Sequence, residues 1–287
     1  MTTKSSPQND PAGWRNIPTS SRPLDQARVA QLLAAEWETF TSATPKSGEH
    51  NAVAKKVLPL GVTSSFQHWD PYPISIVSAK GAYLTDIDGR ELLDLSMGFG
   101  AMLVGHLNPT VIARVKEALD TTGTLFVTPS PSATEAAERF KKRFGLDMLR
   151  FTNSGTESTM YAIRTARAVT GRKAIVKLEG GYHGGYDPLQ VSVKPPLSAV
   201  GSADAPTPDI PFEVEAGTVY VVPYNNLPYL EKIFTEHGSD IAAFILEPVM
   251  ENLSIVLPDE GYLRAVRELC DLILANKPDF TNPWVSK

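Results

Sequence analysis

Phe151-Thr152-Asn153-Ser154-Gly155-Thr156-Glu157-Ser158-Thr159 decides how this chain is read. It lies between a short apolar run, Met148–Thr152, and a stretch of helical spacing over 156–170, which predicts a strand feeding a helix through a tight turn. In a parallel sheet, ligands collect beyond the carboxyl ends of strands, where such turns stand. There Ser154, Gly155 and Thr156 open the helix. The glycine admits a close backbone approach, the hydroxyls offer hydrogen bonds, and the unsatisfied amides of a first turn favour an anion. Further along, Ala162, Ala166 and Val169 share a face, Arg164 and Arg167 point elsewhere, and Gly171 is placed to end the helix. Taken alone, the same residues also fit a plain helix cap with Glu157 in the first turn.

Downstream, a strand over Ala174–Leu178 runs into Glu179-Gly-Gly-Tyr-His-Gly-Gly-Tyr186. Four glycines around Tyr182 and His183 let a planar ligand approach the backbone and stack on the aromatic; a packed tyrosine in an ordinary loop is the other reading. A strand at Thr218–Val222, a helix at 227–237 and a strand at Ile241–Leu246 follow, and a last helix starts at Asp259. The strand from Ile241 ends in Glu247. A charge at a buried strand end needs a partner, so Glu247 meets an arginine or a ligand group, or caps a loop. Upstream, helices are expected near 109–120 and 131–144. Strands separated by helices imply an α/β fold with a mostly parallel, doubly wound sheet.

The first third reads differently. From Leu24, Val29, Leu32, Leu33 and Trp37 recur at helical spacing. Ile74–Val77, Ala82–Thr85 and Glu91–Leu95 read as strands around an Asp86–Gly89 turn, a small antiparallel α+β unit. The expected divisions are a disordered arm at 1–24, a small-domain segment at 25–104, a large domain at 105–271 and a tail at 272–287. The Pro- and Ser-rich region 186–214 reads as a long functional or mobile loop.

Composition narrows the field. One cysteine, Cys270, excludes an intramolecular disulfide framework and a multi-cysteine metal knot, and no metal ligands are assigned. A net charge of -5 argues against nucleic acid as a partner. No apolar run approaches the ~18 residues of a membrane span. The first residues lack the apolar core of a secretory leader, so a cytoplasmic protein is expected.

The motifs gain meaning in combination. Phe151-x-Asn-Ser-Gly-Thr-Glu157, then Ala162-x-Arg-x-Ala-Arg-x-x-Thr-Gly-Arg172, then Gly181-Tyr-His-Gly184 and Leu246-Glu-Pro-Val249 stand in that order. Pro59-Leu-Gly-Val-Thr-Ser64, Asp88-Gly-Arg-Glu-Leu-Leu-Asp94 and Gly105-His-Leu-Asn-Pro109 add to the set. Together they resemble the class III (subgroup II) aminotransferases of pyridoxal-phosphate fold type I, and within them the glutamate-1-semialdehyde aminomutase-like branch. The resemblance implies a fold type I large domain and pyridoxal 5'-phosphate as cofactor. It implies that Ser154, Gly155 and Thr156 hold the phosphate, that Tyr182 stacks on the pyridine ring with His183 beside it, and that Glu247 stands near the substrate. It also implies amino transfer from an amine or amino acid to an oxo-acid acceptor, and a homodimer when intact.

Two departures stand out. The family's Schiff-base lysine and the aspartate opposite the pyridinium nitrogen are both missing, so no catalytic residue is assigned. Lys277 and Lys287 sit in an unrelated tail, while Lys173 and Lys177 read as solvated or structural. The chain is therefore expected to be an incomplete large domain, C-terminally truncated and without transaminase activity. Second, Gln67 occupies the position where true aminomutases carry an arginine for the substrate carboxylate, and a neutral amide does not replace a bidentate guanidinium. This favours a general aminotransferase over an aminomutase-like isomerase. A non-catalytic, cofactor-binding pseudoenzyme is the rival from another class. A dehydrogenase is disfavoured, because no Gly-x-Gly-x-x-Gly opens a helix.

Overall fold

The computed structural model describes residues 25–275 apart from 125, 197, 199, 203 and 204, and the side chains up to 273. The expected arm at 1–24 lies outside the described residues, as do 276–287 of the expected tail with Lys277 and Lys287. The chain forms two compact units, Met1–Pro129 and Ser130–Lys287.

In the first unit, α1 (Gln26–Ala43) starts where the Asp25 carboxylate accepts the Arg28 amide at 3.0 Å. It is followed by α2 (Pro45–Ala54). Strands β1 (Ile76–Lys80), β2 (Tyr83–Asp86) and β3 (Glu91–Leu93) pair antiparallel in that order. The expected meander is present, with the first strand starting two residues late. The third stops early because Asp94 turns its carboxylate back onto the amides of Ser96 and Met97, at 3.0 and 2.7 Å. The turn between β2 and β3 also reaches far along the chain. Its Asp88 accepts the Lys46 amide at 2.8 Å and the Ser47 hydroxyl at 2.7 Å, satisfying the open first turn of α2. Helix α3 (Pro109–Thr121) is capped by Asn108.

The second unit contains α4 (Pro131–Phe144), α5 (Gly155–Thr170), β4 (Ala174–Leu178) and the single-turn α6 (Asp187–Gln190). A two-residue ladder, β5 (Gly201–Ser202) with β6 (Ala205–Pro206), lies within the expected 186–214 loop. Then come β7 (Val219–Val222), α7 (Leu227–His237), β8 (Ile241–Ile245) and α8 (Tyr262–Ala275). The sheet is parallel, in the order β7-β4-β8. Every residue of β4 is buried, as a central strand covered on both faces must be. Ile163 of α5 and Leu189 of α6 pack with Ile175 on one face. Leu230, Ile233 and Phe234 of α7, with Tyr262 and Val266 of α8, pack with Val176 and Leu178 on the other. Helices thus cover both faces, as a doubly wound sheet requires.

Three local expectations are corrected. Met148–Thr152 is not a strand: no described segment pairs with it, and Met148 and Phe151 are exposed, so no backbone ladder holds it. The buried line of α5 runs through Ile163 and Thr170, with Ala166 and Val169 half-buried, while Ala162 is exposed. Ile163 sets that rotation, because its larger apolar surface enters the core beside Ile175. Helix α8 starts at Tyr262 rather than Asp259, since Gly261 has φ +82° and breaks the helical path. Gly171 does end α5, at φ +71°, with its amide on the Arg167 carbonyl at 2.9 Å.

Candidate functional site

The site is built where the start of α5 meets the loop after β4. Ser154 is the helix cap, its hydroxyl accepting the Glu157 amide at 3.2 Å. Glu157 answers by accepting the amide and side-chain NH2 of Asn153, at 2.8 and 3.1 Å. The capping reading is therefore correct, and it leaves room for the ligand reading as well. With the turn locked, the amides of Gly155 and Thr156 have no acceptor among the described residues. An anion at that position would complete the first turn.

The glycine loop docks on the same turn. The Gly185 amide donates to Thr156 Oγ1 at 2.9 Å, and Thr159 Oγ1 donates to the His183 carbonyl at 2.8 Å. Gly184 lies so close that a Cβ there would stand 2.5 Å from Thr156 Oγ1 and 2.7 Å from Thr156 Cα. Its φ of +88° also favours glycine. The two motifs, about thirty residues apart in the chain, thus form one surface.

Tyr182 and His183 face different surroundings. Tyr182 is 54% exposed, which sets aside the packed-tyrosine reading. Its amide donates to Glu247 Oε1 at 2.8 Å, and Glu247 Oε2 accepts the amides of Glu251 and Asn252 at 2.9 and 3.3 Å. Of the partners left open for Glu247, the structure supplies the loop cap. The His183 imidazole is buried, and its Nε2 has no hydrogen-bond partner among the described residues. Burial, and secondly the Lys177 ammonium, push its pKa down to about 4, with Glu247 opposing, so the ring is neutral at pH 7. Gln67 belongs to the first unit, where its Oε1 accepts the Thr63 hydroxyl at 2.8 Å and the Ser64 amide at 3.2 Å. Those side-chain bonds stay within its own turn.

Sequence reasoning gave Lys177 no part in the site. Its side chain is fully buried, and Nζ donates to the Val191 carbonyl at 2.5 Å. Burial lowers its pKa to about 8 against the opposing pull of Glu179 and Glu247. The available signal was a lysine inside an otherwise apolar strand, Ala174-Ile-Val-Lys-Leu178. A hollow of about 460 Å³ is lined by Arg150, Thr152, Ser158, Tyr161, Ala162 and Thr165, and shares no residue with the Ser154–Thr156 and Tyr182 surface. Among the described residues no cluster of His, Cys, Asp or Glu could hold a metal, and no helix is long and apolar enough to cross a membrane.

Acceptor-free amides at a helix start, in contact with the loop that carries an open aromatic ring, suit a ligand with an anionic tail and a flat body. Proteins similar to this chain in sequence and in fold are known. Residues 65–273 match the model of the family "Aminotransferase class-III". The glutamate-1-semialdehyde 2,1-aminomutase of Thermoplasma volcanium is 41% identical over 218 residues, 76% of this chain and 51% of that protein. A glutamate-1-semialdehyde aminomutase from Pseudomonas aeruginosa superposes with a TM-score of 0.77 at 28% identity, over 87% of this chain and 54% of that one. A transaminase with PLP bound gives a TM-score of 0.72 at 31% identity, over 80% of this chain and 53% of that one. The chain spans about half the length of these relatives. With most of its described length matched by one family model, this chain belongs to the class III aminotransferases, a pyridoxal-phosphate-dependent family of fold type I.

Proposed function

We propose that this chain holds pyridoxal 5'-phosphate for an aminotransferase whose whole length moves an amino group from an amine or amino acid to an oxo-acid acceptor. The observation that carries this reading is the bond from the Gly185 amide to Thr156 Oγ1, which sets the open amides of α5 beside the loop bearing Tyr182. Ser154, Gly155 and Thr156 would take the phosphate, the two amides supplying donors and the helix start favourable charge. Tyr182 would lie against the ring and exclude water from that face. Glu247 acts through Tyr182, fixing its backbone, and the neutral His183 backs the loop without adding charge. When bound, the cofactor supplies an electron-withdrawing ring for the substrate carbon. Gln67 is assigned to the substrate side through its NH2, since its oxygen is engaged locally.

Family habit supports a homodimeric, cytoplasmic whole protein and a chain divided at about residue 104 into small- and large-domain parts. A second reading, a glutamate-1-semialdehyde aminomutase-like isomerase, is favoured by the 41% identity to the Thermoplasma protein and disfavoured by Gln67. Titration of the 287-residue chain with pyridoxal 5'-phosphate, followed by absorbance and fluorescence quenching, tests the first claim. Saturable binding weakened in Ser154→Ala/Thr156→Ala is expected, and no saturable binding by the folded chain would sink it. Assaying the whole protein for isomerisation against transfer to an oxo acid separates the two readings.

A further inference from the structure

Among the described residues, Lys177 is the ammonium buried in the core of β4, and the cofactor reading above gives it no role. Its Nζ donates to the Val191 carbonyl at 2.5 Å. Val191 and Ser192 are themselves fully buried, and they form a strap bonded to the start of the glycine loop. The Gly180 amide donates to the Ser192 carbonyl at 2.7 Å. Asn252 Nδ2 donates to the Gly180 carbonyl at 2.8 Å and the Val193 carbonyl at 3.4 Å. The Ser192 backbone has φ +51°, a left-handed conformation that a serine keeps only when its surroundings impose it.

The charged groups whose fields act on the ammonium are Glu179 and Glu247, and the ammonium in turn acts on the buried His183. Glu179 Oε1 is buried without a hydrogen-bond partner among the described residues, so the ammonium provides charge compensation there. Glu247 in turn holds the Tyr182 amide. A route of direct contacts therefore runs from Lys177 to the aromatic loop, through the Val191 carbonyl and the bond from the Gly180 amide to Ser192.

We infer that Lys177 is a positioning residue for the aromatic loop, its ammonium fixing the Val191 strap so that Tyr182 stands ready for a flat ligand. The inference rests on the cofactor reading for its ligand, but its mechanical part stands without one. A lysine serving only as core filler would stabilise the whole unit evenly; a positioning lysine orders the loop above all.

Hydrogen exchange of the full chain without ligand, followed by mass spectrometry, separates these. Lys177→Met removes donor and charge, Lys177→Gln keeps a donor, and Lys177→Arg keeps both. Exchange over 179–193 and 247–252 should rise about tenfold in Lys177→Met, the scale of one lost charged hydrogen bond, with α7 unchanged. Lys177→Gln should fall between, and Lys177→Arg should stay near the parent. Should Lys177→Met fail to fold, the Gln and Arg variants carry the comparison. Equal acceleration across the unit, or none, overturns the inference.

Pyridoxal 5'-phosphate titration supplies the second arm, with binding about tenfold weaker in Lys177→Met. Parent binding with all variants unchanged overturns the ligand part. No binding by the parent brings down the cofactor reading, and the exchange pattern still decides the role of Lys177. Borohydride treatment that leaves a pyridoxyl group on Lys177 would overturn positioning, because the amine would then be reacting with the ligand itself.

Discussion

Glu247 Oε1 accepts the backbone amide of Tyr182 at 2.8 Å across 65 residues of chain. The segment that leaves β8 is thereby tied to the loop that presents the aromatic ring. The same carboxylate takes two more amides from the turn after it, so a single side chain organises both loops at this edge of the sheet.

Glu247→Gln keeps the shape but loses the charge and one strong acceptor. A charge-assisted hydrogen bond contributes about 1.5–3 kcal/mol, so pyridoxal-phosphate affinity should fall by about tenfold or more. The parallel sheet should survive, read as an unchanged far-ultraviolet circular dichroism spectrum. Unaltered affinity in a folded variant would detach Glu247 from the site.

Gly184→Ala tests the close approach of loop and helix. Its methyl group would meet Thr156 Oγ1 at 2.5 Å on a backbone of positive φ. Strain of about 1–3 kcal/mol is expected, seen as a lower urea midpoint, together with lost cofactor binding. Gly155→Ala is the contrast: nothing lies within 4 Å of its Cβ position, so stability should hardly change.

Tyr182→Ala removes the exposed ring, and about tenfold weaker cofactor binding should follow from a lost aromatic contact of roughly 1 kcal/mol or more. Tyr182→Phe keeps the stacking face and should bind like the parent. Equal binding by all three chains would remove Tyr182 from the ligand surface.

The buried His183 makes stability depend on pH. Its imidazole titrates at about 4 in the fold against an ordinary 6.5, with burial as the main cause. Between those values the unfolded chain binds a proton that the folded chain refuses, so stability is complete above about 6.5 and falls as pH drops towards 4. The drop is on the order of 3 kcal/mol for this group alone. His183→Gln should flatten it, measured as urea midpoints at neutral and mildly acidic pH.

Much of the site was legible because its signals are local. Ser154, Glu157 and Gly171 mark the two ends of α5 through bonds spanning a few residues, and such caps form wherever the helix forms. The four glycines around Tyr182 announced a loop for the same reason. What local pattern could not give was burial. Tyr182 and His183 are neighbours in sequence, yet one ring is open and the other enclosed, because the packing of distant segments covers only one of them.

Met148–Thr152 has strand-like residues, but a strand exists only with a partner ladder, and no described segment provides one. Lys177 reads from its sequence as either solvated or structural, and it is a core group because β4 is the middle strand. The amino-acid sequence by itself determined the alternation of β4, β7 and β8 with helices, the caps of α5, the glycine loop and the family. Tertiary structure alone decided which charges are buried, which donors Glu247 serves and which ring stands open, since these depend on contacts between residues far apart in the chain and on the water those contacts exclude.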